Sequence, residues 1–117
     1  MGLTVLMVDD HEEFRRSAAA VLELDGFKVI GEACDGADAL VKAWDMRPDI
    51  VLLDIQLPDL DGFAVAERIA LLEDPPIVIL VSSRDGTVYG SRLAASPARG
   101  FIAKRHLSGA ALASLLA

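Results

Sequence analysis

The sequence predicts an α/β domain with an open, doubly wound parallel sheet, and three observations predict it. Short β-branched runs alternate with longer helical patterns five times along the chain. Several of those runs are continuously apolar, as strands buried on both faces are. The chain has 117 residues, 53% of them hydrophobic, which is enough for one packed domain and too short for two. Five β-then-α units imply right-handed crossovers. Of the two common doubly wound strand orders, the smaller, flavodoxin-like 2-1-3-4-5 is expected.

The strands are expected at 3–8, 27–32, 50–53, 77–81 and 101–103. Val5-Leu6-Met7-Val8, Ile50-Val51-Leu52-Leu53 and Ile77-Val78-Ile79-Leu80-Val81 are the unbroken apolar runs, so these three belong to the middle of the sheet. The first helix presents Phe14, Ala18, Val21 and Leu22 on one face. The second presents Ala37, Leu40, Val41 and Trp44 and is ended by Pro48, with Trp44 packed in the core or at its margin. Phe63, Ala66, Ala70 and Leu71 mark the third. A weaker fourth covers 87–96 and is stopped by Pro97 and Gly100, and the fifth covers 107–116 with Ala111, Leu112 and Leu115 inward. There are no internal repeats, low-complexity segments or linkers.

Composition removes several classes of function. No apolar run reaches about 18 residues, so no membrane span is expected. Met1-Gly2-Leu3-Thr4 runs straight into a strand pattern without a charged leader, and Leu6 stands where a myristoylation motif needs Ser or Thr. A cytoplasmic protein is expected. The single cysteine, Cys34, excludes an internal disulfide and reads as a half-buried small hydrophobe. Eighteen acids against 11 bases give a net charge of −7, so direct nucleic-acid binding by this chain is not expected.

The chemistry lies at the strand ends, because ligands of open parallel sheets bind outside the carboxyl ends of the strands. The first strand ends in Asp9-Asp10, the third in Asp54, the fourth in Ser82-Ser83 and the fifth in Lys104. Each residue has a plain structural use: Asp10 as a cap for the next helix, a serine in a turn, a lysine as solvated charge. Together they place three carboxylates, a hydroxyl and an ammonium on one rim. Three carboxylates about 5 Å apart repel by about 3 kcal/mol per pair at an effective dielectric near 20. Such a cluster requires a cation, and all-oxygen ligands select a hard one such as Mg²⁺, with Mn²⁺ as a substitute. A carboxylate nucleophile then forms an aspartyl phosphate, and Asp54 is the candidate. Lys104 and Ser82 are placed to hold the remaining phosphoryl oxygens.

Four stretches carry a family resemblance: Val8-Asp9-Asp10-His11, Pro48-Asp49-Ile50-Val51-Leu52-Leu53-Asp54, Leu57-Pro58-Asp59-Leu60-Asp61-Gly62 and Gly100-Phe101-Ile102-Ala103-Lys104. In these the chain resembles the CheY-like receiver domains of two-component response regulators, over essentially its whole length. Ser82 follows Asp54 by 82 − 54 = 28 residues and Lys104 follows Ser82 by 104 − 82 = 22, a spacing similar to that of the family. The resemblance implies Asp54 as phosphoacceptor and metal ligand, Asp9 and Asp10 as metal ligands, and the backbone carbonyl of Gln56 as the third protein ligand. It implies Ser82 and Phe101 as switch residues that remodel the face of the fourth helix, fifth strand and fifth helix. Gln56 and Arg84 stand where the family tunes phosphoryl lifetime.

Asp9-Asp10-His11-Glu12-Glu13-Phe14-Arg15 and Val29-Ile30-Gly31-Glu32-Ala33 look like the NarL/LuxR type. That type implies a sensor histidine kinase as phosphodonor and a C-terminal helix-turn-helix domain, absent from residues 1–117, as transcriptional output. It also implies homodimers through the fourth helix, fifth strand and fifth helix, or through the first and fifth helices. By the resemblance the chain catalyses its own phosphorylation and slow dephosphorylation and is no conventional enzyme. Arg105 stands where many members have Pro, and Ser96-Pro97-Ala98-Arg99-Gly100 replaces a Gly-Ala-x-Gly turn, so an irregular end to the fourth helix is expected. Three other readings exist. A haloacid-dehalogenase-type phosphohydrolase expects an acid where Gln56 stands. A flavin carrier needs a phosphate loop where Asp9-Asp10 would repel the phosphate. A stand-alone receiver without an attached output domain, or a degenerate one acting only as a protein-interaction module, is the last; a degenerate one would lack acceptor residues that are all present here.

Overall fold

The computed structural model describes residues 2–117; the leader and myristoylation readings at Met1 therefore fall partly outside the described residues. Five parallel strands, β1 (Thr4–Val8), β2 (Lys28–Ala33), β3 (Ile50–Asp54), β4 (Ile77–Ser82) and β5 (Gly100–Ala103), form one sheet in the order β2-β1-β3-β4-β5. This is the expected doubly wound order. Helices α1 (Glu12–Leu24), α2 (Gly36–Met46), α3 (Gly62–Ala70), α4 (Ser91–Ala95) and α5 (Gly109–Leu116) connect and follow the strands. Among the described residues no helix is long and apolar enough to cross a membrane.

The apolar strands alternate between two layers. Leu6, Val8, Val51, Leu53, Val78 and Leu80 pack against Ala39, Ala43, Phe63, Val65, Ala66 and Ile69 of α2 and α3. Val5, Met7, Ile50, Leu52, Ile79, Val81 and Ile102 pack against Ala18, Leu22 and Leu112 of α1 and α5. Each fully buried Leu or Ile contributes on the order of 2 kcal/mol of transfer free energy, so the three central strands anchor the domain. Side-chain caps start three helices. Asp35 accepts from the Asp38 N–H, Asp61 from Phe63 and Ser108 from Ala111.

Several expected helix faces are different in the structure. α2 buries Gly36, Ala39 and Ala43, while Ala37, Val41 and Trp44 are exposed and only Leu40 of the expected face packs inward. At its start the helix meets Leu60 and Val65, and a Cβ on Gly36 would come within 2.9 Å of both, so that contact admits only a small residue. Trp44 is 48% exposed, with the Arg47 guanidinium 4.1 Å above its ring, so it lies outside the core. Val21 on α1 is exposed. α3 turns Val65 and Ile69 inward, leaving Ala70 and Leu71 outside. Cys34 is exposed, not half-buried.

The expected fourth helix is two pieces, a 3₁₀ turn at Gly86–Val88 and the five-residue α4, neither with a buried residue. Gly90, at φ 54°, separates them. α5 starts at Gly109, later than expected, because Lys104–His106 form a separate 3₁₀ turn.

Candidate functional site

Strand register builds the rim. Val8 pairs with Leu53 and Asp54 with Val81, so Asp9 and Asp54 emerge level from neighbouring strands. Ser82 pairs with Ala103, which places Ser82 and Lys104 at the top of the adjoining pair. Alternation sorts the side chains as well. Asp9, Asp54 and Lys104 continue the rows of Val5 and Met7, Ile50 and Leu52, and Ile102, on the α1/α5 layer. Ser82 continues the row of Val78 and Leu80, on the α2/α3 layer.

Asp9, Asp54 and Ser82 are the buried polar residues among those described, at 1%, 3% and 0% exposure. Burying two carboxylates together is costly unless charge and hydrogen bonds compensate. The Lys104 ammonium provides part of that. Its Nζ lies 2.6 Å from Asp9 Oδ2 and 3.5 Å from Asp54 Oδ2, and 4.5 Å over the ring of Phe14. The Asp9 contact falls outside hydrogen-bond geometry despite its length, so it is ionic and leaves Oδ2 without a directed donor. Asp9 Oδ1 accepts the backbone N–H of His11 at 2.8 Å, and Asp54 Oδ1 accepts that of Gln56 at 3.2 Å.

The compensation is incomplete at Asp54. Burial, and then the negative charge of Asp9, push its carboxyl up to about 6 against the pull of Lys104 and the Gln56 N–H. A cationic charge at the rim would reverse that cost. Ligand atoms of Asp9, Asp10, His11 and Asp54 lie within 4.8 Å of one another, close enough to share one ion. Carboxylate oxygens are the donors that hard divalent cations take, so the cluster fits Mg²⁺ or Mn²⁺.

The expected site residues divide into two groups. Asp9, Asp10, Asp54 and Lys104 come together at one point. Ser82 is on the same rim but directed elsewhere: its Oγ lies 2.6 Å from the Tyr89 hydroxyl and accepts the Arg84 N–H at 3.1 Å. Phe101 is half-buried behind it, with its ring 6.1 Å from that of Tyr89. Gln56 and Arg84 are exposed at the mouth. Asp10 caps nothing. The N-cap of α1 is His11, whose Nδ1 lies 3.1 Å from Asp10 Oδ1.

Three participants were missed in the sequence. His11 joins the acidic cluster, Tyr89 holds Ser82, and Asp59 accepts the N–H groups of Gly36 and Ala37 at 2.7 and 3.0 Å, tying the β3–α3 loop to the start of α2. Those N–H bonds hold the Asp59 carboxyl below the usual range. Gly62 closes the loop from the other side. Its N–H donates to Ile55 O at 2.8 Å, and a Cβ there would sit 2.5 Å from Asp54 O, so only glycine fits. The one visible signal for Tyr89 is an aromatic residue beside Val88 in a mostly polar stretch.

The fold and this rim define a class: doubly wound α/β domains with a cation-ready acidic cluster at the carboxyl end of a parallel sheet. Residues 5–115 match the response regulator receiver domain, and the chain belongs to that family. Over 100 residues it is 37% identical to the virulence-factor transcription regulator BvgA of Bordetella pertussis, covering 86% of this chain and 48% of BvgA. The chain spans about half the length of the curated relatives it matches. The signal receiver domain of NarL from Mycobacterium tuberculosis superimposes with a TM-score of 0.86 at 32% identity, covering 98% of this chain and 97% of that one. CheY in the CheX–CheY–BeF3–Mg complex of Borrelia burgdorferi gives a TM-score of 0.81 at 28% identity, covering 97% and 86%.

Proposed function

We propose that residues 1–117 are the phospho-accepting receiver of a two-component regulator, with Asp54 as the acceptor. The observation that carries this reading is the Lys104 ammonium set between the buried carboxylates of Asp9 and Asp54, with Asp10 beside them. An Asp54 oxygen attacks phosphorus, the P–N bond of a phosphohistidine on a sensor histidine kinase breaks, and the electron pair returns to the imidazole. Asp9, Asp10, Asp54 and the Gln56 carbonyl would hold Mg²⁺, which when bound neutralises the carboxylates and the incoming phosphoryl oxygens.

Lys104 stabilises one phosphoryl oxygen by charge, and Ser82 supplies a hydroxyl to another. Gln56 and Arg84, exposed at the mouth, govern access of the hydrolytic water and hence the lifetime of the phosphoryl group. Phe101 responds on the α4–β5–α5 face, which with the α1–α5 face is the candidate dimer surface. BvgA is named a transcription regulator, which supports a transcriptional output through a C-terminal helix-turn-helix domain while this acidic domain leaves DNA alone.

Incubation with acetyl phosphate and Mg²⁺ should add one phosphoryl mass, absent in Asp54→Asn and after chelation. If the wild type stays unmodified at high Mg²⁺ and ignores beryllofluoride, the domain works only as a protein-interaction module.

A further inference from the structure

Tyr89 stands outside the four stretches that carry the family resemblance, yet it makes the closest contact of the buried Ser82 hydroxyl. The two oxygens are 2.6 Å apart, and Ser82 is fully buried. A serine hydroxyl has one proton and two acceptor sites. The Arg84 N–H occupies one acceptor site, and Tyr89 takes either the second or the proton. In both arrangements Oγ is held on the α2/α3 layer, away from the row that carries Asp54. The phenol is itself wedged. Its ring meets Phe63 of α3 edge-on at 5.7 Å and 63°, and Phe101 of β5 at 6.1 Å and 56°. Tyr89 therefore touches the hydroxyl at one end and two aromatic rings of two elements at the other. The segment that carries it, between the 3₁₀ turn and α4, has no buried residue of its own.

We propose that Tyr89 is a positioning residue for Ser82: its phenol holds the hydroxyl off the acceptor, and release of that bond is the step that frees Ser82 for a phosphoryl oxygen and moves the Phe63–Tyr89–Phe101 stack. The inference rests on Asp54 as phosphoacceptor. It makes the residue between β4 and α4, and not Phe101 alone, the link between the rim and the α4–β5–α5 face.

Tyr89→Phe keeps the ring and removes only the hydroxyl, so the packing against Phe63 and Phe101 survives. Beryllofluoride binding with Mg²⁺ should tighten about two- to tenfold in Tyr89→Phe, the size of one net hydrogen bond. In a Ser82→Ala background the same change should have no effect, because the residue acts through Ser82. Tyr89 is the sole tyrosine, so fluorotyrosine labelling gives a single ¹⁹F resonance. That resonance should shift in Ser82→Ala without any ligand, and in the wild type on adding beryllofluoride. Unchanged or weaker binding by Tyr89→Phe overturns the inference, as does an effect that persists with Ser82→Ala or a ¹⁹F signal indifferent to Ser82. A wild type that binds no beryllofluoride overturns the acceptor reading, and the inference with it. A wild type that binds while Tyr89→Phe binds equally overturns the inference alone.

Discussion

The two sides of the rim are built to different standards. On the β1–β3 side, Asp9 and Asp54 stand at the ends of strands that are buried but for Thr4 at the start of β1, and Gly62, Asp59 and the capped α3 fix the loop that follows. α3 buries five residues along nine. On the β4–β5 side, the connection is a 3₁₀ turn, a glycine at positive φ and a five-residue helix with no buried residue. Local opening costs least where few apolar groups are buried. The rigid side fixes the positions of Asp9 and Asp54, while the connection from β4 to β5 is held by few buried groups.

The largest effect that tests this contrast is chemical. Asp54→Asn should abolish labelling by acetyl phosphate, read by intact mass, whereas no substitution in α4 should do so. Next is packing. Leu53→Ala, in the strand that carries Asp54, should cost about 2–5 kcal/mol in urea unfolding, and Leu93→Ala in α4 about 1 kcal/mol or less. Equal losses would mean that α4 is as firmly anchored as the sheet. Lys104→Ala removes the only ammonium between two buried carboxylates among the described residues. It should cost about 2–3 kcal/mol in metal-free protein and leave Mg²⁺ affinity largely intact, measured by titration calorimetry.

The smallest effect is the pH dependence of the rigid side itself. The folded Asp54 carboxyl sits near 6, above its unfolded value of 3.8, so the folded state binds this proton more tightly. Metal-free stability should therefore gain from Asp54 as pH falls from above 6 to about 4, and that gain should be complete below the unfolded value. Asp54→Asn should remove this slope and be about 1–3 kcal/mol more stable than the wild type at pH 8. If both proteins show the same pH profile, the burial cost at Asp54 is already cancelled by Lys104.

Much of the fold was legible because buried parallel strands have a signature. Unbroken apolar runs such as 5–8 and 50–53 are too short for buried helices, and acids follow directly after them. The face of α2 was not legible. The spacing puts Val41 and Trp44 on the inward face, but the contact with Leu60 and Val65 requires glycine at 36, and Ala39 and Ala43 are buried with it while Val41 and Trp44 stay outside. Size, and not hydrophobicity, decides so close a contact, and size complementarity depends on the partner surface. The fourth helix was overestimated for a related reason: its apolar content is too sparse for burial to hold it together.

By itself the sequence determined that five strand ends exist and that four of them bring Asp9, Asp10, Asp54, Ser82 and Lys104 to one rim. Strand polarity and the order of elements follow from local pattern and chain connectivity, which are written along the chain. Only the tertiary structure decided which of these residues face one another. It placed Lys104 between Asp9 and Asp54, and turned Ser82 onto the opposite layer with Tyr89. It also brought Asp59 to the start of α2. Those pairings depend on inter-strand register and on loops that close across more than twenty residues, and such long-range relations have no local imprint in the amino-acid order.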